Sequence, residues 1–184
     1  MDVYKLDEKF KVWRNIKFYF PYSELTTQPK WRVAILSCMD CRIVSSIFGI
    51  EDPGEAIIIR TAGALLTFDS LRSLLIAIFD LNVNLIAVVG HTDCGGNMTK
   101  DQMVRLLSKI SKRTGIPDRE VLRILGSEDP SDAFLGFSDV EIQIRQTVKS
   151  IQEHPLISPA GVKVVGYIYN TLTGELTKLE PRKG

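Results

Sequence analysis

The apolar positions of this chain follow two periods. Segments 31–37 (WRVAILS), 56–59 and 84–90 (NLIAVVG) are apolar at nearly every position, which predicts strands covered on both faces, as in a parallel sheet. Elsewhere apolar residues recur every three or four positions. That spacing predicts helices over 69–81, 99–113, 117–125 and 138–153, the middle two separated by Gly115-Ile116-Pro117. A short helix over 43–48 is closed by Gly49 and the Asp52-Pro53-Gly54 turn. Segments 162–169 and 175–179 flank Thr171-Leu172-Thr173-Gly174 and predict a hairpin. Strands alternating with helices indicate an α/β fold: a central sheet of four parallel strands plus an antiparallel edge strand, flanked by helices.

Two stretches stand apart from this pattern. Residues 126–136 form an Asp-, Ser- and Pro-rich loop, the only linker-like tract, but the segment beyond it is too short for a core of its own. One domain over 1–184 is therefore expected. Residues 2–20 carry Leu6, Phe10, Trp13, Ile16 and Phe20 at helical spacing, with Lys5, Lys9, Lys11, Arg14 and Lys17 between them and Pro21 after them. This amphipathic helix, an arm over 1–22, has an apolar stripe suited to its own core, a partner subunit or a membrane surface. Aromatic bulk so early in the chain favours the partner.

Composition narrows the function. The 23 Lys and Arg balance 22 Asp and Glu, so charge does not favour nucleic acid or an anionic membrane as the main partner. A small or neutral substrate fits better. No segment approaches the roughly 18 to 20 apolar residues of a membrane helix, and no basic stretch leads into an apolar run at the start. A soluble, cytoplasmic protein is expected. Three cysteines, clustered among polar residues, suit metal or catalytic use in a reducing compartment better than a disulfide framework.

All three cysteines, and one of only two histidines, lie in Cys38-Met39-Asp40-Cys41-Arg42 and His91-Thr92-Asp93-Cys94-Gly95-Gly96. Each stretch lies at the carboxyl end of a predicted strand, where open parallel sheets form their ligand sites. Thiolate and imidazole are zinc donors, closed by four protein ligands in structural sites and left open by three in catalytic ones. If Cys41 is a ligand, the site is closed. If it is not, Cys38, His91 and Cys94 leave a position for water, with Asp40 near enough to reach it. Cys38 and Cys41 also have the spacing of a redox pair, but such pairs usually open a helix and lack a separate His/Cys loop.

Cys-x-Asp-x-Arg at 38, 40 and 42, followed by His-x-x-Cys-Gly at 91–95, resembles the β-class carbonic anhydrases, above all their small archaeal and bacterial members. The likeness runs from about 31 to 179. It includes Arg60-Thr61-Ala62-Gly63, Leu71-Arg72-Ser73, His154-Pro155-Leu156-Ile157 and the stretch 166–174. The resemblance implies one zinc per chain on Cys38, His91 and Cys94, with Cys41 a non-ligand. It also implies an Asp40–Arg42 dyad in which Asp40 accepts a hydrogen bond from a zinc-bound hydroxide, and reversible hydration of carbon dioxide to bicarbonate and a proton. Breaking the dyad would let Asp40 close onto zinc, as in some members. A homodimer or dimer-based oligomer, with the N-terminal helix over the partner, is implied too.

Arg60, Ala62, Gly63, Phe68 and Gly95 are expected around the substrate pocket, although Arg60 equally suits structural pairing. Asp93 suits loop hydrogen bonding, His154 a helix end, and Gly95 and Gly96 a tight start to the next helix. Thr61 replaces the family's usual Asn, and Phe68 an acidic residue of close relatives. These departures leave carbon disulfide or carbonyl sulfide hydrolysis on the same scaffold as an alternative; Cys41 as a fourth ligand leaves a closed, non-catalytic zinc protein as another.

Overall fold

Five strands form one sheet in the computed structural model, which describes Lys9 and residues 25–180. They are β1 (Val33–Cys38), β2 (Ile57–Thr61), β3 (Leu85–His91), β4 (Lys163–Tyr169) and β5 (Leu176–Leu179), in the order β2-β1-β3-β4-β5. The first four are parallel and β5 runs antiparallel to β4, the sheet expected from the hydrophobic pattern. The arm expected over 1–22, apart from Lys9, and its subunit contact lie outside the described residues.

Central strands β1 and β3 are buried along almost their whole length. The sheet resolves their continuous apolar runs into two faces. Leu36, Ile86 and Val88 join Leu74, Ile144 and Ile151 on one side, while Ile35, Ala87 and Val89 meet Ile50 on the other. The second strand departs from expectation: β2 stands at the end of the sheet and Ile57, Ile58 and Ile59 are only half-buried. An apolar run does not distinguish a central strand from an edge one. β2 also reaches Thr61, which sets Arg60 beside Ser37 and Thr61 beside Cys38.

The helices are α1 (Phe68–Phe79), α2 (Lys100–Thr114), α3 (Asp118–Ile124), α4 (Pro130–Phe134) and α5 (Val140–Gln152). Thr67 with Ser70, and Thr99 with Gln102, form reciprocal capping boxes that start α1 and α2. Gly115, at φ 74°, ends α2 in the left-handed region open to glycine. Two expectations need correction. The 126–136 loop contains α4, five residues started by Pro130 and capped by Asp129, too short for a periodic signature. The helix expected over 43–48 is a single 3₁₀ turn, Ser45–Phe48.

Helix α5 presses on β3 immediately before His91. A methyl group built on Gly90 would lie 2.6 Å from Cγ1 of Ile144 and 2.8 Å from Cγ2 of Val140. Gly90→Ala is therefore expected to lower stability by about 1–3 kcal/mol through overpacking. A lower urea midpoint with an unchanged slope will report it; an unchanged midpoint would show that the contact yields freely.

Candidate metal centre

The carboxyl ends of the two central strands deliver the donors. Cys38 is the last residue of β1 and His91 the last of β3, with Cys94 in the turn immediately after β3. The Sγ atoms of Cys38 and Cys94 lie 3.7 Å apart, and the donor atoms of Cys38, His91 and Cys94 all fall within 4.8 Å of one another.

His91 tests the fit of a metal. Its side chain is 1% exposed, and Nδ1 lies 2.8 Å from the Thr92 carbonyl oxygen. That contact places the ring proton on Nδ1 and leaves Nε2 a bare lone pair. Nε2 is buried without a hydrogen-bond partner among the described residues. An orphaned buried acceptor is costly, and a metal ion held with two sulfurs removes the cost. Two sulfurs and one imidazole nitrogen suit zinc rather than the oxygen-seeking magnesium or calcium. Three protein donors are also the number found in catalytic zinc sites.

Cys41 is an exposed free thiol outside this cluster. The turn after β1 separates it from Cys38, and the four-ligand arrangement that Cys-x-x-Cys spacing allows is not formed. Cys41→Ser is expected to keep one zinc per chain and activity within about twofold, the range of an exposed substitution. Metal analysis beside a rate assay checks both; lost zinc would restore the closed-site reading.

The two sulfurs are hydrogen-bonded to each other and their pKa values shift in opposite directions. The hydrogen bond from Cys94 holds Cys38 far below the ordinary thiol range, assisted by His91 and by backbone N–H groups against the opposing effect of burial. The same bond, with burial, pushes Cys94 upward. A metal that uses both thiolates must expel the Cys94 proton, so affinity weakens as the pH is lowered. Burial favours a neutral His91, but Cys38, the Thr92 carbonyl and Asp40 outweigh it and raise its pKa.

Asp40 lies beside the donors, its Oδ2 3.8 Å from Nε2 of His91. Arg42 grips it through Nε to Oδ1 at 3.0 Å and Nη2 to Oδ2 at 2.7 Å, and the Arg42 backbone N–H adds a bond to Oδ1 at 2.9 Å. These bonds, the side-chain ones foremost, hold the carboxyl well below the usual carboxylate range. Arg42 also donates to Oδ2 and to the carbonyl oxygen of Asp93, each at 2.7 Å. Asp93 thus joins the second donor loop to the first, a cross-loop partnership that spacing does not reveal.

The residues expected around the pocket divide. Arg60 donates to the carbonyls of Cys38 and Asp40 at 3.0 and 2.5 Å, which braces the first loop from β2. Gly63 is buried, and its N–H donates to Sγ of Cys38 at 3.4 Å. Ala62 and Gly95 are exposed, and nothing stands within 4 Å of where a Gly95 side chain would begin. Phe68, 84% exposed at the start of α1, projects into solvent. Gly95 and Gly96 do not open a helix, because α2 begins at Lys100; Gly96 instead donates its N–H to Sγ of Cys94 at 3.4 Å. His154, just past α5, accepts the Leu156 N–H on Nδ1. Phe137, against both Gly63 and Gly96, escaped sequence reasoning because it belongs to no motif.

The carbonic anhydrase family profile matches residues 33–176. Beta-carbonic anhydrase 1 of Mycobacterium tuberculosis is 31% identical over 85% of this chain and 87% of its own. The carbon disulfide hydrolase of Acidianus sp. is 32% identical over 80% of this chain and 76% of its own. The crystal structure of carbonic anhydrase from Streptococcus mutans superposes with a TM-score of 0.77 at 28% identity, over 98% of this chain and 99% of that one. By sequence match and fold together, the chain belongs to the β-class carbonic anhydrase family.

Proposed function

We propose that this protein catalyses the reversible hydration of carbon dioxide to bicarbonate and a proton, with zinc held by Cys38, His91 and Cys94. The observation that carries the reading is the buried, unpartnered Nε2 of His91 facing two sulfurs, beside a carboxylate that Arg42 keeps ionised. When bound, zinc supplies Lewis-acid activation of water, lowering its pKa from about 15.7 to about 7, the established value for carbonic anhydrase on three imidazoles.

The chain's own groups do the positioning. Asp40 is ionised and therefore accepts hydrogen bonds without donating them. Its Oδ2, on the His91 side, is placed to accept the O–H of the attacking water and so to orient the oxygen's free lone pair towards carbon dioxide. Arg42 restrains Asp40 through both oxygens, which supports an open site rather than one closed by the carboxylate. Arg60 holds the Cys38 and Asp40 backbone, and so the spacing of ligand and acceptor. The proton released leaves to buffer.

Stopped-flow hydration of carbon dioxide by the zinc-loaded protein tests this. Two thiolates donate more charge than neutral imidazoles, so the water's pKa should exceed the three-imidazole value and the rate should rise between about pH 6 and pH 9. A flat profile overturns that account. Likeness to a carbon disulfide hydrolase supports a second reading, hydrolysis of carbon disulfide or carbonyl sulfide; sulfide release without carbon dioxide hydration would select it. The exposed Cys41 speaks against a closed, structural zinc site.

The same reading makes the protein a cytoplasmic homodimer or an assembly of dimers, acting on a small molecule rather than on nucleic acid or membrane. Its support is the half-exposed β2 edge, the exposed Phe68, Ile76 and Phe79 of α1, and three free cysteines. No described helix is long and apolar enough to cross a membrane. Sedimentation equilibrium reads the assembly; a monomer would remove that part of the proposal.

A further inference from the structure

Among the backbone groups that reach the donor set, the N–H of Gly63 donates to Sγ of Cys38 and the N–H of Gly96 to Sγ of Cys94, both at 3.4 Å. Neither donor sits in a helix or strand long enough to fix its direction. Gly63 lies at φ 74° within a three-residue 3₁₀ turn, and Gly96 lies in the loop between β3 and α2. What borders both is one aromatic ring from a remote part of the chain.

A methyl group built on Gly63 would lie 2.7 Å from Cε1 of Phe137, and one on Gly96 would lie 3.0 Å from the same atom and 3.3 Å from the Gly63 Cα. The ring edge therefore fills a notch that the two glycines form together, and any side chain at either would displace it. The Phe137 segment is itself held on several sides. Its N–H donates to the Gly96 carbonyl at 3.4 Å, and Asn97 donates through Nδ2 to the Ser138 carbonyl at 3.4 Å. Gly136 is packed so closely that a methyl there would lie 2.7 Å from the Met98 carbonyl oxygen and 2.9 Å from Sδ of Met103. Three residues on, α5 starts and presses against Gly90.

We propose that Phe137 is a positioning residue of the metal centre: its ring holds the Gly63 and Gly96 N–H groups on the sulfurs of Cys38 and Cys94. Hydrogen bonds to a ligating thiolate draw electron density away from the metal and tune it from outside the ligand set. Two thiolates by themselves weaken the Lewis acidity of zinc; the two N–H donors, kept in place by one ring, recover part of it. This also gives Gly63 and Gly96 a physical reason to be glycine. The inference rests on the metal-centre reading of Cys38, His91 and Cys94.

The full-length protein, loaded with cobalt(II) in place of zinc, provides the test through its thiolate-to-metal charge-transfer band. In Phe137→Ala and Phe137→Leu the loosened N–H donors leave the sulfurs richer in electrons, so the band moves to lower energy. The zinc dissociation constant rises about 10- to 100-fold because the ligand loops lose their support, which outweighs the stronger donation of the freed sulfurs. Phe137→Tyr, which keeps the ring, retains the wild-type band. Should Phe137→Ala not fold, Phe137→Leu preserves apolar bulk and carries the test. An unmoved band in Phe137→Leu overturns the inference even if zinc binding weakens, since a merely structural residue would weaken binding without changing the sulfurs. If the wild-type protein shows no thiolate band with cobalt, the metal-centre reading fails and this inference with it, a result distinct from an unmoved band.

Discussion

Cys94→Ser is expected to cost this protein its zinc and, with it, hydration of carbon dioxide above background. Serine nearly matches cysteine in size, and Cys94 lies in a loop rather than in the core, so the fold survives and the loss reports chemistry. A hydroxyl does not give up its proton to a zinc ion near neutral pH as readily as a thiol does. The structural zinc of small peptides is worth about 10–16 kcal/mol over four ligands, so one ligand carries about 2.5–4 kcal/mol, or roughly 100- to 1,000-fold in affinity. Competition with a chromophoric chelator measures the affinity, and circular dichroism checks the fold. Wild-type affinity in the variant would remove Cys94 from the ligand set.

Asp40→Asn is expected to keep one zinc per chain and lower kcat/KM by about 100- to 1,000-fold, the cost of removing one preorganised group from the reacting centre. The amide has the size of the carboxylate but only one acceptor oxygen, and it presents a donor where the water's O–H needs an acceptor. Arg42 keeps its bonds to Asp93, so the loops stay joined and the metal stays bound. Rate and zinc content must therefore part company in this variant, whereas in Cys94→Ser they fall together. A rate within a few-fold of wild type would remove Asp40 from the mechanism.

The charge on Asp40 carries a stability consequence of definite sign. Its carboxyl is depressed in the folded protein, first by the Arg42 side chain and then by the Arg42 backbone N–H. The pairing therefore contributes its full stability above the ordinary aspartate pKa of about 3.9, and that contribution fades as the pH falls from there towards the lower folded value. Asp40 stays ionised throughout the neutral and alkaline range in which activity is expected to rise.

Hydrophobic runs foretold β1 and β3 because both strands are covered on two faces, and a strand so placed needs no polar alternation. The same physics put Cys38 and His91 at the carboxyl ends of those strands, since the polar loop residues begin where the apolar runs stop. β2 shows the limit of that inference, because its three isoleucines read as buried whether or not a further strand stands beside them. α4 went unseen because five residues span less than two turns, too few for a period to repeat.

For the site, spacing by itself named four sulfur and imidazole donors and a carboxylate near them. Tertiary structure decided which of them meet. Cys41 comes three residues after Cys38 yet points to solvent, because the chain turns as it leaves the sheet. Asp93 reaches Arg42 only because β1 and β3 are neighbours in the strand order. Phe137 reaches Gly63 and Gly96 only because the packing of α5 on β3 carries its loop over the donors. The sequence alone determined the longer elements, the chemistry available and the end of the sheet that bears it, since these depend on local period and residue type. Convergence of side chains across the sheet was left to the tertiary structure, because it depends on strand order and on close approaches at single glycines, which no periodicity encodes.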